Sequence, residues 1–291
     1  MDSKIVKPLI IFYIMLSCCI TFSMENQITD FVRNLKNYTN EEIKNFAAKN
    51  GSMKGYFSFT EAEKIFDLIE KLYPEIISIN RNYLTYNNHP IYIIRMTNKN
   101  SHNEKKPQLL ITSLTHAREL VTLSISLYTI FSLISNYYKN NLEYVSLLNN
   151  TEIILVPVLN ADSYYLIEKE FNETGHFTPY RKNQRKSSKK CLYDQYAGVD
   201  INRNFDFLFN DSEGSSKNEC AEDYKGPFPF SEPESRLEKS LIENETNIQM
   251  VMNFHTFGNF IFPEGKIQQS NLAYNKSFSL LNITKIPKGA Q

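Results

Sequence analysis

The residues best suited to chemistry in this chain stand at the ends of apolar runs. The stretch Ile111-Thr-Ser-Leu-Thr-His-Ala-Arg-Glu119 offers an imidazole and, three residues on, a carboxylate. The apolar run Pro107 to Leu114 reads as a buried strand, and the charge-free stretch Leu120 to Tyr138 as a helix buried against a sheet. His116 and Glu119 are therefore expected on a strand-to-helix turn, where open α/β sheets place their ligands. Imidazole nitrogen and carboxylate oxygen together suit Zn2+, but a catalytic site needs a third protein donor and leaves a fourth position open. His255 is the candidate, closing the run Val251-Met-Asn-Phe-His-Thr256. Two buried strands of one sheet that each end in a histidine can bring both imidazoles to one edge.

The elements that must hold these groups follow from periodicity. Ile91 to Met96, Pro107 to Leu114, Glu152 to Leu159 and Ile248 to Phe254 read as strands. Helical patterns between them argue for an α/β fold, a mixed and mostly parallel sheet with helices on both faces. Ile65, Phe66, Ile69 and Leu72 recur at helical spacing. That helix is expected to be capped by Thr60 with Glu63 and to end at Pro74. Tyr164 to Cys220 shows little helical periodicity and reads as a long functional loop region. Residues 24–54 are Asn- and Lys-rich with one short helix near Glu41 to Ala48. They are expected to form a polar extension ahead of a domain spanning 55–291.

Across 291 residues, Lys+Arg and Asp+Glu balance at 32 each, which gives no electrostatic prior for nucleic acid or an anionic membrane surface. Lys4 and Lys7 precede the apolar run Pro8 to Ile20, and Thr21-Phe-Ser23 suits a cleavage point, so residues 1–23 read as a secretory signal. The run is short for a membrane span, and none is expected after its removal. Of four cysteines, Cys191 and Cys220 stay, and an oxidising compartment favours one disulfide over two thiols. Asn-x-Ser/Thr sequons at Asn37, Asn50, Asn149, Asn172, Asn210, Asn244, Asn275 and Asn282 fit a glycoprotein that is secreted or held in the secretory or lysosomal-vacuolar lumen.

Further motifs follow in a fixed order: Asn160-Ala-Asp-Ser-Tyr164, Tyr180-Arg-Lys-Asn183, Gly198-Val-Asp-Ile-Asn-Arg-Asn-Phe205, Tyr224-Lys-Gly-Pro-Phe-Pro-Phe-Ser-Glu232 and Phe254-His-Thr256. With His116-Ala-Arg-Glu119 this order resembles the zinc metallocarboxypeptidases of the carboxypeptidase A/B type, from about Tyr56 to about Gly265. The resemblance implies one zinc ion held by His116, Glu119 and His255. It makes Asp200 the acceptor of a hydrogen bond from a ligand imidazole, which fixes that ring's tautomer. It makes Asn202 and Arg203 the grip on the terminal carboxylate of a peptide, for which a guanidinium fork is suited. Arg181 would stabilise the oxyanion, and Arg118 would line the cleft further out. Cys191 and Cys220 stand near positions that form a disulfide in many animal members. Lys182, Lys186, Lys189 and Lys190 read as solvated charges.

The sequence also departs from that pattern. The family's general-base glutamate and its cleft tyrosine lie well beyond the second zinc histidine, and no stretch up to Gln291 matches them. Glu264 falls at a different place. The expectation is a domain lacking its last strands and helix. Residues 24–54 are too few for the folded inhibitory prosegment of pancreatic members. The expected activity is zinc-dependent removal of C-terminal residues from peptides and proteins. The alternative is a secreted inactive relative that binds peptide C-termini. A zinc deacylase would keep the ligands without the clamp, and Asn202-Arg203 argues against it. Terminal side-chain preference and oligomeric state are not legible.

Overall fold

The computed structural model describes residues 26–102, 105–192, 197–210, 214–245 and 247–256. The expected signal, the C-terminal tail and Glu264 lie outside them. Strands are β1 (Ile77–Leu84), β2 (Pro90–Met96), β3 (Gln108–Thr112), β4 (Glu152–Val156) and β5 (Ile248–Asn253). Helices are α1 (residues 26–33), α2 (Asn40–Lys49), α3 (Phe59–Leu72), α4 (Val121–Tyr138), α5 (Leu142–Asn150), α6 (Ala161–Thr174) and α7 (Pro233–Asn244).

The five strands form one mixed sheet in the order β1-β2-β4-β3-β5. β1, β2 and β4 pair antiparallel, whereas β3 runs parallel to both β4 and β5. Alternation along the strands divides the apolar side chains between two cores. Tyr92, Ile94, Met96, Ile111, Ile153 and Leu155 face one, and Ile91, Ile93, Leu110, Ile154 and Val156 face the other. α7 closes the second core with Leu237 and Leu241, while α3, α4 and α6 bury their apolar residues in the first. The expected α/β sheet with helices on both faces is what the chain forms.

Three expectations about elements need correction. Residues 26–54 are part of the main core. Ile28, Phe31, Val32, Leu35, Ile43, Phe46 and Met53 are buried in it, and the Phe31 and Phe46 rings stack. Apolar residues at helical spacing lie under a polar average composition, and α2 packs on α4. The cap of α3 is Ser58 with Glu61, and not Thr60 with Glu63. Ser58 Oγ accepts from Glu61 N at 3.1 Å and Glu61 Oε2 accepts from Ser58 N at 2.8 Å. Starting two residues earlier buries Phe59, and Glu63 instead accepts from the Tyr92 hydroxyl. Finally, residues 164–174, at the start of the expected loop region, are helical and belong to α6. Its buried face includes Asp162, Ser163 and Glu168, which hides the apolar periodicity from the sequence.

α4 carries Thr122, Ser124, Ser126, Ser132 and Ser135 on buried positions, and no helix among the described residues is long and apolar enough to cross a membrane. Its hydroxyls are tied to the turn that follows β3: Ser126 Oγ lies 2.7 Å from Ser113 Oγ, and Thr122 Oγ donates to the Glu119 carbonyl at 2.8 Å.

Glu238 on α7 is buried, and burial pushes its carboxyl up to about 7 from an ordinary 4.5. Between those values the folded chain holds a proton that the unfolded chain has released. Stability therefore falls as pH rises through this window. Glu238→Gln is expected to be indistinguishable from the parent near pH 4.5 and more stable by about 3 kcal/mol at pH 8, from the 1.4 kcal/mol per pKa unit. Urea unfolding at the two pH values measures the difference, and equal midpoints at pH 8 would contradict it.

Candidate metal centre

The parallel pairing of β3 with β5 decides the site. Thr112 and Asn253 are register partners at the carboxyl ends of these strands, and Phe254 N donates to Thr112 O at 2.9 Å. His255 and His116 leave the sheet side by side, with ring centres 4.8 Å apart. Between Thr112 and His116 the chain turns sharply. Leu114, fully buried, takes a φ of 51°, and its N–H donates to Thr122 Oγ at 3.1 Å. Such a conformation in a branched residue persists only where the surroundings impose it. Here Leu159 N and Asn160 N, beyond β4, donate to the carbonyls of Ser113 and Leu114.

His116, Glu119 and His255 offer three donor atoms that all lie within 4.8 Å of one another. His116 Nδ1 is 2.9 Å from Glu119 Oε1, and His255 Nδ1 is 3.0 Å from Glu119 Oε2. The far nitrogen of His116, Nε2, faces Asp200 Oδ1 at 3.2 Å. A proton held on Nε2 by Asp200 leaves the Nδ1 lone pair directed at the shared point. Two imidazoles and a carboxylate at this spacing fit a zinc ion with a fourth position open. Electrostatics support a charged carboxylate pair. Burial pushes Glu119 up, but hydrogen bonds from His116 and His255 outweigh it and bring the carboxyl down to about 2. Burial likewise lowers the His116 pKa, and the bonds to Asp200 and Glu119 more than reverse this.

Asp200 is completely buried and joins the metal edge to Arg181. Its Oδ2 accepts from Arg181 Nε at 3.0 Å and Nη2 at 2.8 Å, while Arg181 Nη1 lies 3.3 Å from His116 Nδ1. The turn before Asp200 requires Gly198. Its φ is 90°, and a Cβ there would meet the Asn183 carbonyl oxygen at 1.9 Å. Asn202 and Arg203 follow in a single 3-10 turn, with Asn202 N donating to Asp200 Oδ1 at 3.0 Å. Arg203 Nε is held by the Gly214 carbonyl at 2.6 Å. Arg118 reaches outward to Glu222 at 2.9 Å. Cys191 and Cys220 form a disulfide.

The sequence reading missed the buried polar layer beneath. Asn183 Nδ2 donates to Glu232 Oε2 at 2.8 Å and Glu234 Oε2 at 2.9 Å, which ties the Arg181 segment to the start of α7. Burial pushes Glu234 up to about 8. Two glutamates flanking a proline at a helix start look solvated in sequence, and only packing shows otherwise. Lys182 is the second miss: it is 2% exposed, not solvated, whereas Lys186, Lys189 and Lys190 are exposed as expected. Its ammonium finds backbone carbonyls inside the molecule.

Asp200→Asn is expected to weaken zinc binding by about 10- to 100-fold, the usual effect of removing such a partner from a ligand imidazole. A competition titration against a zinc-binding dye measures this, and an unchanged affinity would sever Asp200 from the metal site.

Comparison with known proteins gives the family. The sequence profile of the zinc carboxypeptidase family matches residues 62–286. A carboxypeptidase B from Helicoverpa zea is 28% identical over 241 residues, covering 80% of this chain and 53% of that protein. Human mast cell carboxypeptidase A is 28% identical over 216 residues, covering 72% of this chain and 48% of its own. The crystal structure of carboxypeptidase A from Helicoverpa armigera superposes with a TM-score of 0.59 at 26% identity, over 82% of this chain and 53% of that one. Thrombin-activatable fibrinolysis inhibitor shares the fold with a TM-score of 0.62 at 24% identity, over 75% of this chain and 53% of its own. The chain spans about half the length of the curated relatives it matches. With the family profile covering most of its length, the chain belongs to the zinc carboxypeptidase family.

Proposed function

We propose that the protein removes C-terminal residues from peptides with a single zinc ion held by His116, Glu119 and His255. The observation that carries this is the convergence of these three donors on the edge where Arg181 is fixed by Asp200. When bound, zinc supplies a Lewis acid for the scissile carbonyl and acidifies water. Arg181 presents a fixed positive group to the developing oxyanion. Asn202 and Arg203 clamp the free carboxylate and so set which bond is cut. Arg118 lines the outer cleft beside Glu222, and the carboxylate of Asp200 keeps the His116 proton on Nε2.

A second reading uses the Asn202–Arg203 carboxylate clamp alone. On that reading the secreted chain binds peptide C-termini without turnover. One experiment separates the two. The purified, zinc-loaded chain is mixed with a peptide bearing a free C-terminus and with its C-terminal amide, and both binding and terminal-residue release are followed. The peptidase reading expects release from the free acid alone. Binding of the acid without release selects the second reading, and binding of neither peptide removes both.

A further inference from the structure

Among the lysines of the run Arg181 to Lys190, one does not behave as the others do. Lys182 is buried, and its Nζ donates to the carbonyls of Glu219 at 2.8 Å and Ala221 at 2.7 Å. The Tyr224 ring centre lies 5.8 Å away. These two carbonyls flank Cys220, which is bonded to Cys191. The same turn is held a second time, because the Glu219 carboxylate accepts from Ser187 Oγ at 2.6 Å and from Ser188 N at 2.7 Å. Lys182 thus plugs into a short turn stapled at its centre.

The residue before it is Arg181, and the backbone of the pair is gripped from the opposite side as well. Ser163 Oγ donates to the Lys182 carbonyl at 2.6 Å and Asn160 Nδ2 to the Arg181 carbonyl at 3.3 Å, both from the start of α6. A buried ammonium carries a desolvation penalty that an apolar side chain of similar length avoids. Packing alone therefore gives no reason for a lysine here. A directional double hydrogen bond to the stapled turn does.

We propose that Lys182 is a positioning residue for Arg181, locking the peptide segment that carries the guanidinium between α6 and the disulfide-bonded Glu219–Ala221 turn. Its part in turnover rests on the peptidase reading above, whereas its hold on Arg181 does not. A side chain displaced by about 1 Å at such a site changes rate on the order of 10- to 100-fold.

The test uses the full, zinc-loaded chain and the variants Lys182→Met, Lys182→Arg and Cys191→Ser/Cys220→Ser. The 15N resonance of the Arg181 Nε–H, assigned by its loss in Arg181→Lys, reports the bond to Asp200. In Lys182→Met the exchange of this proton is expected to accelerate at least tenfold, on the order of the positional effect above. Zinc content stays at one ion per chain, kcat falls by a similar factor and KM changes little. Lys182→Arg keeps the parent signal. The double cysteine variant reproduces the Met effect, and adding Lys182→Met to it produces no further change. An unaltered Arg181 signal in folded Lys182→Met overturns the proposal, as does loss of zinc in step with it. If Lys182→Met does not fold, the cysteine variant decides, since it leaves the lysine in place. A parent that releases no terminal residue counts against the peptidase reading, and the Arg181 signal still decides the role of Lys182.

Discussion

His255→Ala is expected to lower zinc affinity on the order of 100- to 1000-fold while leaving the fold intact. Binding energies of about 10–16 kcal/mol for four-ligand zinc sites assign roughly 3 kcal/mol to each donor. His255 is the most informative of the three ligands to remove. Its side chain is 30% exposed, so truncation leaves no deep cavity. His116 differs: it is buried between Glu119, Asp200 and Arg181, and its loss would strand a buried carboxylate. The alanine variant of His255 therefore separates metal binding from stability. Equilibrium dialysis gives the affinity, and thermal unfolding of the zinc-free protein gives the control. Parent-like affinity in a folded His255→Ala protein would remove His255 from the metal site. Proton competition adds a second signature. The bonds to Asp200 and Glu119 raise the His116 pKa, and a ligand imidazole must be neutral at its metal-binding nitrogen. Affinity should decline as pH falls through that raised value, starting at a higher pH than for an ordinary histidine.

Arg181→Met is expected to reduce kcat for release of a terminal residue by about 100- to 1000-fold, the range for removing one preorganised oxyanion donor. Zinc content and KM should change little. Arg181 gives Nε and Nη2 to Asp200 Oδ2. This anchors one edge of the guanidinium and keeps the rest of its fork at the metal edge, where Nη1 lies 3.3 Å from His116 Nδ1. Methionine fills comparable volume without charge, so lost packing contributes little to the effect. Lysine is no substitute, because a point charge cannot bind Asp200 and a substrate oxygen through one planar fork. Single-turnover kinetics on a peptide with a free C-terminus resolve the chemical step. A decrease of less than threefold would end the oxyanion role and leave Arg181 as a partner of Asp200 alone.

What local sequence carried was element type and donor identity. Apolar runs ending in His116 and His255 marked strand ends, because a strand's buried length is bounded where polar residues begin. Chain-order motifs carried the family, and with it Asp200, Arg181 and the Asn202-Arg203 pair as candidates. Local sequence cannot choose the cap of α3, since Ser58-x-x-Glu61 and Thr60-x-x-Glu63 are equally good patterns. Burial of Phe59 chose between them. In α6 the buried face mixes Asp162, Ser163 and Glu168 with Ala161, Tyr164 and Ile167, so apolar spacing could not show it. In residues 26–54 the spaced apolar positions were masked by average composition.

The sequence by itself determined which residues can ligate, which segments form β2 to β5 but not β1, and which family's motif order the chain follows. These are properties of side-chain chemistry and short-range periodicity. The tertiary structure alone decided that β3 and β5 are adjacent and parallel, which sets the two histidine rings 4.8 Å apart. It alone decided that Lys182 lies inside and that Glu232 and Glu234 share one amide. The physical reason is the same in each case. Burial and ionisation of a polar group depend on neighbours brought from distant parts of the chain, and no local spacing encodes them.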